Sequence, residues 1–309
     1  MKHSGPFMEQ MDLEALALFV AVATHGGLNA ASRETGVPRA TMSRRIRQLE
    51  TGLGALLLER GRGQMRVTED GRLLFERAAP LMADLAAVAD QLRARDGQVR
   101  GSLRISVPNL MARTGMGAIA ASFVRKHPQI HLEIDIDDRF VDPVAEGYDL
   151  VIRANPAATS DLVGRRFLRS EILLAALPEM PIPSEQDAFV DAVILTATGS
   201  QTAWTVECGD RQLRVIPRET LRCSSMMLVY DAVLAGAGAA LLPAWLIASD
   251  LRNGRLRAWG KVPGREIEAW VLHARSHLTS PKVRAFVETL VDVYRNHGSA
   301  DQSVRVDPA

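Results

Sequence analysis

Residues Leu28 to Arg47, LNAASRETGVPRATMSRRIR, combine a buried-stripe spacing with outward arginines, a pattern suited to gripping a nucleic acid. A short Ala-rich helical run ends at Gly36, whose access to positive φ suits a tight inter-helix turn, and a second helix opens near Pro38. Ala30, Ala31 and Ser32 are small enough to let two helices cross closely. On the second helix Met42, Ile46 and Leu49 recur at spacings of four and three, which makes one buried stripe. At about 100° per residue, Arg44 points roughly 200° away from Met42, off the exposed face. A helix that hides one stripe and turns Thr41, Ser43, Arg44 and Arg47 outward is shaped to enter a DNA groove. The bland alternative is a solvated basic face on an ordinary helical hairpin. It does not explain why Asn29, Gly36, the small residues and the buried triplet occur together at these offsets.

Within this segment Arg39, Ala40, Ser43 and Arg44 are the candidates for base edges. Arg pairs bidentately with guanine, and a small Ala meets a thymine methyl. Thr41, Arg45, Arg47, Arg60 and Arg62 are candidates for phosphate contacts. Arg45 lies nearest the buried stripe, so its role stays open between a phosphate and an ion pair inside the domain with an acid such as Glu50.

The elements that position these residues can be read from the flanking sequence. Helix one starts from Asp12, a plausible N-cap, and stops at Gly26-Gly27. After Gly52, an apolar run leads into Arg60, Arg62 and Arg66 around Gly61 and Gly63, the signature of a β-hairpin wing before a Thr68 cap. A long helix begins near Glu69, with acids in its first turn. In it Leu74, Ala78, Leu81, Leu85, Val88 and Leu92 form a heptad seam, expected to dimerise, and Pro80 is expected to bend it. From Leu103 onward strands alternate with helices. The expected strands are 103–107, 131–136, 149–153, 171–177, 192–195, 213–217, 239–242 and 268–273, an α/β pattern.

Composition bounds the classes. The chain has 309 residues, enough for two domains, and a net charge of only +1. Between Arg33 and Arg66, however, eight Arg face three Glu, a net +5, so the rest of the chain carries −4 and the positive charge is concentrated in one small domain. Two cysteines make no disulfide scaffold, and the N-terminus lacks an apolar signal-peptide core. The uncharged run Ala232–Ala248 is interrupted by Gly236, Gly238 and Pro243. A cytoplasmic protein without a membrane partner is therefore expected.

Taken in order, these segments resemble the LysR-type transcriptional regulators over about Asp12 to Arg295. VPRATMSRRIRQLETGLGALLLER is similar to the family's recognition helix and wing. GSLRISVP, FVRKHPQIHLEI, EGYDLVIR, AVLAGAGAALLP and SPKVRAFVETL are similar to successive segments of its effector domain. Leu28 stands where an aromatic is usual, and Ser32 and Thr35 where Ala and Leu are common. The resemblance implies a winged helix-turn-helix over 11–68, reading an operator through helix 38–51, and a linker or dimerisation helix over 69–96. It also implies an α/β effector domain over 101–297 resembling periplasmic binding proteins. That domain would have a subdomain I of 101–158 and 266–297 and a subdomain II of 159–265, with crossings near Arg153–Leu162 and Lys261–Glu268. The implied partners are a double-stranded DNA operator, a small-molecule effector, a second copy or three more of the chain, and RNA polymerase if the protein activates.

For the effector the resemblance points to Pro108, Asn109 and Leu110 after the first strand, to Thr198, Gly199, Ser200, Gln201 and Thr202, and to Ser224 and Ser225. All offer backbone N–H groups or hydroxyls at helix starts, which suits a small organic acid; ordinary N-capping is the alternative. Arg153 is placed to meet an acidic ligand or to brace the hinge.

Other signals fail. His127/His131 and His273/His277 have four-residue spacing, but Pro128 and the strand patterns deny them a shared helix face, so no metal is expected. Gly236-Ala-Gly238 is no dinucleotide loop, TGSQT is no nucleophile elbow, and neither an enzyme activity nor a cofactor is expected. Two alternatives remain. One is a redox-sensing regulator on the same scaffold, because peroxide-sensing members of the family use two cysteines in the same subdomain as Cys208 and Cys223. The other is a solute-binding protein, which the basic helix-turn-helix argues against.

Overall fold

A computed structural model describes residues 12–60, 65–93, 99–139, 141–144, 146–156, 162–198, 203–209, 211–274 and 280–301. Asp12 opens the described part of the N-terminal head. Its Oδ1 accepts the N–H groups of Glu14 (3.0 Å) and Ala15 (3.2 Å), capping α1 (Leu13–Thr24). α2 (Leu28–Thr35) ends at Gly36 with φ 70°, the left-handed cap that turns the chain into α3 (Arg39–Leu53). The expected triplet Met42, Ile46 and Leu49 is buried, and it meets Ala15, Phe19 and Val22 of α1 in one core. The wing pairs β1 (Leu58–Arg60) antiparallel to β2 (Met65–Val67). Thr68 Oγ1 then accepts the Gly71 N–H at 2.9 Å, capping α4 (Glu69–Arg93).

α4 runs through Pro80, and its seam divides in two. Leu74 and Ala78 belong to the head core. Beyond Pro80, Leu81, Leu85 and Val88 are 51–63% exposed, an apolar stripe left uncovered by the described residues. Leu92's side chain lies outside the described residues.

The C-terminal half is one nine-stranded sheet with helices on it. β3 (Arg100–Val107) pairs in parallel with β4 (Gln129–Ile136) and β5 (Leu150–Ala154). α6 (Gly117–Lys126) and α9 (Pro281–Asp301) cover this part through Phe123, Phe286 and Leu290. A second part contains β7 (Ala188–Leu195), β8 (Trp204–Cys208), β9 (Arg211–Cys223) and β10 (Ala240–Pro243), with α7 (Met226–Leu234) and α8 (Ala244–Arg252). Its core lies on both faces, around Trp259 on one and Val229, Val233 and Ile247 on the other.

A two-strand ribbon of β6 (Leu162–Ala176) and β11 (Arg257–Ala274) joins the parts. β11 shifts register between Lys261 and Glu266, within the expected second crossing. Along β6 the packing changes from one core to the other. Phe167 and Leu168 still pack on the first part, and Leu173 is the first β6 residue after them in a core of the second. β6 thus touches the first part's core as far as Leu168. The cause is long-range pairing: β6 stays matched to β11 from Leu162 onward, with Arg166 and Arg169 bound to Glu268 and Glu266. Of the expected strands, all eight positions are extended, and β8 is an addition.

Candidate DNA-reading face and effector cleft

On α3 the side opposite the buried triplet carries Ala40, Arg44 and Arg47, all exposed, with Thr41 and Ser43 half-buried beside them, and Arg39 is exposed at the start of the helix. Arg45 is committed elsewhere. Its Nη1 donates to Asp12 Oδ2 at 3.0 Å, and its Nη2 lies 3.1 Å from Glu14 Oε2. Of the two roles left open by the sequence, the ion pair inside the domain is the one realised, though not with Glu50. Glu50 Oε1 instead accepts the N–H groups of Leu57 (2.8 Å) and Leu58 (3.0 Å), fastening the end of α3 to the wing. Arg60 lies on β1 with its side chain outside the described residues, and Arg62 lies outside them altogether. The base of the wing meets the face carrying Arg47 and Ser43 in a small notch lined by Leu28, Ser43, Ile46, Arg47, Glu50, Leu58 and Met65.

The expected effector positions converge. α5 (Asn109–Met111) packs against α7, so the Pro108–Leu110 turn meets the α7 start carrying Ser224 and Ser225. Leu195 pairs with Cys223, and Thr196 Oγ1 donates to the Cys223 carbonyl at 3.0 Å, which brings the turn at Thr196–Thr198 to the same place. Gly199, Ser200, Gln201 and Thr202 lie outside the described residues, as does the Thr198 side chain. Ser225 is the N-cap position of α7, yet its side chain makes no capping hydrogen bond, and Ser224 is exposed. Plain N-capping therefore does not account for Ser225. At the other helix start the Asn109 N–H donates to Asp138 Oδ1 at 2.9 Å, so a carboxylate of the chain itself already sits there.

Arg153 is buried, 7% exposed, below this cleft. Its Nη2 donates to Ser106 Oγ (2.8 Å) and its Nη1 to the Ile152 carbonyl (2.6 Å), while Nε has no partner. Burial lowers its pKa, against the opposing pull of Asp137. It stands on β5 in the first part and is not at the crossing. The end of β5 is fastened to β11 by Asn155, whose N–H donates to the Glu268 carbonyl and whose Oδ1 accepts the Glu268 N–H, both at 2.8 Å. A second fastening is the Trp245 N–H on Ser170 Oγ at 3.2 Å, with the Trp245 ring against the first part's core. Asp138, Ser106, Asn155 and Trp245 were not singled out from the sequence, because each acquires its role through a partner far along the chain. Only the Asp-Asp pair at the end of the β4 pattern was visible as a signal.

Cys208 and Cys223 occupy opposite ends of β9's pairing: Cys208 faces Arg211, and Cys223 lies twelve residues further along the strand. At ~3.3 Å per residue this separates them by roughly 40 Å, so no disulfide can join them in this fold. Among the described residues no cluster of His, Cys, Asp or Glu could hold a metal, and no single helix is long and apolar enough to cross a membrane.

Comparison with known proteins bears on both halves. A family model described as the bacterial regulatory helix-turn-helix protein, lysR family, matches residues 13–72. Another, described as the LysR substrate binding domain, matches residues 96–295. The transcriptional regulator PtxR of Pseudomonas aeruginosa is 29% identical over 292 residues, covering 92% of this chain and 93% of that protein. DmlR of Escherichia coli K12 is 27% identical over 292 residues, covering 92% and 95%. Among solved structures, a full-length OxyR variant from Pseudomonas aeruginosa is similar with TM-score 0.69 at 19% identity, covering 92% of this chain and 95% of that one. The full-length Vibrio cholerae virulence activator AphB gives 0.52 at 24% identity, covering 91% and 99%.

Proposed function

The chain belongs to the LysR family of transcriptional regulators, with a helix-turn-helix and an effector-binding domain, and from that premise we propose how its residues divide the work. Arg39, Ala40, Ser43 and Arg44 read base edges in a major groove. Thr41, Arg47, Arg60 and Arg62 hold phosphates on either side. Arg45 acts one step back, clamping α3 to the start of α1. The observation that carries this reading is the exposure of Arg44 and Arg47 opposite a fully buried Met42–Ile46–Leu49 stripe, with Arg39 exposed at the start of the same helix.

A small-molecule effector is held between the α5 and α7 starts, in contact with Ser224, Ser225 and the Thr198–Thr202 loop. Because Asp138 already occupies the α5 start, an acidic effector is received on the α7 side. The exposed Leu81–Leu85–Val88 stripe supports a homodimer through α4, and dimers of dimers extend it. The protein works in the cytoplasm, where its operator is.

The test is selection of genomic fragments by the full-length chain followed by footprinting. A few discrete, dyad-symmetric sites are expected, with half-sites spaced by whole helical turns. Uniform retention of all fragments would refute sequence reading.

A further inference from the structure

The turn 142–148 of the effector half touches the end of α1 in the DNA-binding head. Gly147 has φ 70°, and a Cβ built on it would lie 2.6 Å from Thr24 Cγ2 and 3.8 Å from Arg104 Nη1. Thr24 closes α1, and the next residue, His25, is its half-buried C-cap. The charged groups acting on His25 are Arg104 on β3, Glu133 on β4 and Glu34 on α2, so two of the three come from the effector half.

We propose that Gly147, Arg104 and Glu133 form a docking surface for the chain's own DNA-binding head, received through Thr24 and His25. The surface is well braced. Arg104 donates to the Glu146 carbonyl (2.9 Å) and Asp135 (2.7 Å), and its guanidinium lies 4.5 Å over the Tyr148 ring. Tyr148 Oη donates to the same Asp135 carboxylate at 3.0 Å.

The brace also reaches the cleft. Arg139 bridges Asp137 (2.7 Å) to Glu146 (2.9 Å), and Asp138, next in sequence to Asp137, takes the Asn109 N–H. A run of ion pairs therefore joins the α5 start to the turn that meets Thr24.

Two measurements on the full-length protein without effector test the docking. In the first, the His25 imidazole is titrated by nuclear magnetic resonance in wild type and Glu133→Gln. Losing Glu133 removes a favourable charge and leaves Arg104 less neutralised, so the His25 pKa should fall, independent of protein concentration. In the second, a double-mutant cycle is run on thermal unfolding with Gly147→Ala and Thr24→Ala. The strain of alanine at φ 70° is common to both backgrounds and cancels, so Gly147→Ala should lower Tm more with threonine at 24 than with alanine. A His25 titration that ignores Glu133, or an additive cycle, overturns the proposal. Neither outcome touches the cleft assignment.

Discussion

Arg45 and Asp12 form an ion pair at 3.0 Å that joins α3 to the N-cap of α1. The same Asp12 carboxylate caps α1 through its other oxygen. One side chain therefore sets the start of α1 and the roll of α3 against it, and the roll decides which α3 residues face outward.

Asp12→Ala should destabilise the head by about 1–2 kcal/mol, most of it from the lost cap, because the ion pair is one-third exposed and contributes under about 1 kcal/mol. Asp12→Asn keeps an acceptor for the cap and should lose under half as much. Urea unfolding of both variants checks this. Equal losses would show that the charge, and not the cap, is what matters.

A second expectation concerns α4. Leu85→Asp places a charge in the middle of the exposed Leu81–Leu85–Val88 stripe, where a second copy would have to desolvate it. The variant should sediment as a smaller species than wild type while its monomer melts normally, since Leu85 makes no contribution to the head core. Unchanged sedimentation would place the dimer contact elsewhere.

The head was legible in the sequence because its determinants are local. An N-cap, a left-handed glycine and a 4-then-3 spacing each act within a few residues of where they occur. Arg45 shows where that locality ends. Glu50 was the nearest acid in sequence, yet it serves the Leu57 and Leu58 N–H groups, and the true partners sit over thirty residues away. The first half of β6 was invisible for a related reason. LVGRRFLRS has no apolar alternation, and its arginines become strand residues only when Glu266 and Glu268 lie opposite. β8, five residues long with Trp204 and Val206 facing the core, is too short for its alternation to stand out. In the cleft, the resemblance named helix starts that do converge, but whether a start is vacant or already filled by Asp138 depends on a contact 29 residues apart.

For the effector, Ser224→Ala combined with Ser225→Ala should leave DNA binding intact and raise the effector concentration for half-response roughly tenfold, from two hydroxyl hydrogen bonds at about 0.5–1.5 kcal/mol each. The Ser225 hydroxyl caps nothing, so no loss of α7 stability is expected from that change. A reporter titration with the identified effector measures it. An unmoved half-point would take both serines out of the site.

Acidification should release the docked head. Burial and Arg104 lower the His25 pKa beneath the ordinary value of 6.5, against the smaller pull of Glu34 and Glu133. A lowered histidine pKa favours the neutral form in the docked state. Its stabilising effect is therefore complete above 6.5 and declines as pH falls through the docked-state value. Hydrogen exchange at the end of α1 should be faster at about pH 5.5 than at about pH 7.5 once intrinsic rates are removed, and His25→Gln should flatten the difference. Greater protection at the lower pH would contradict the sign.

The measurement closest to the central claim compares Arg44→Ala and Arg47→Ala on an operator duplex and a random duplex, by anisotropy at one fixed salt concentration. Arg44→Ala should lose about 1–3 kcal/mol on the operator and little on random DNA, collapsing the preference between them. Arg47→Ala should weaken both duplexes alike and reduce the salt slope by about one unit. An Arg44→Ala protein that keeps its full preference for operator over random DNA would contradict the assignment of this face of α3 to base reading.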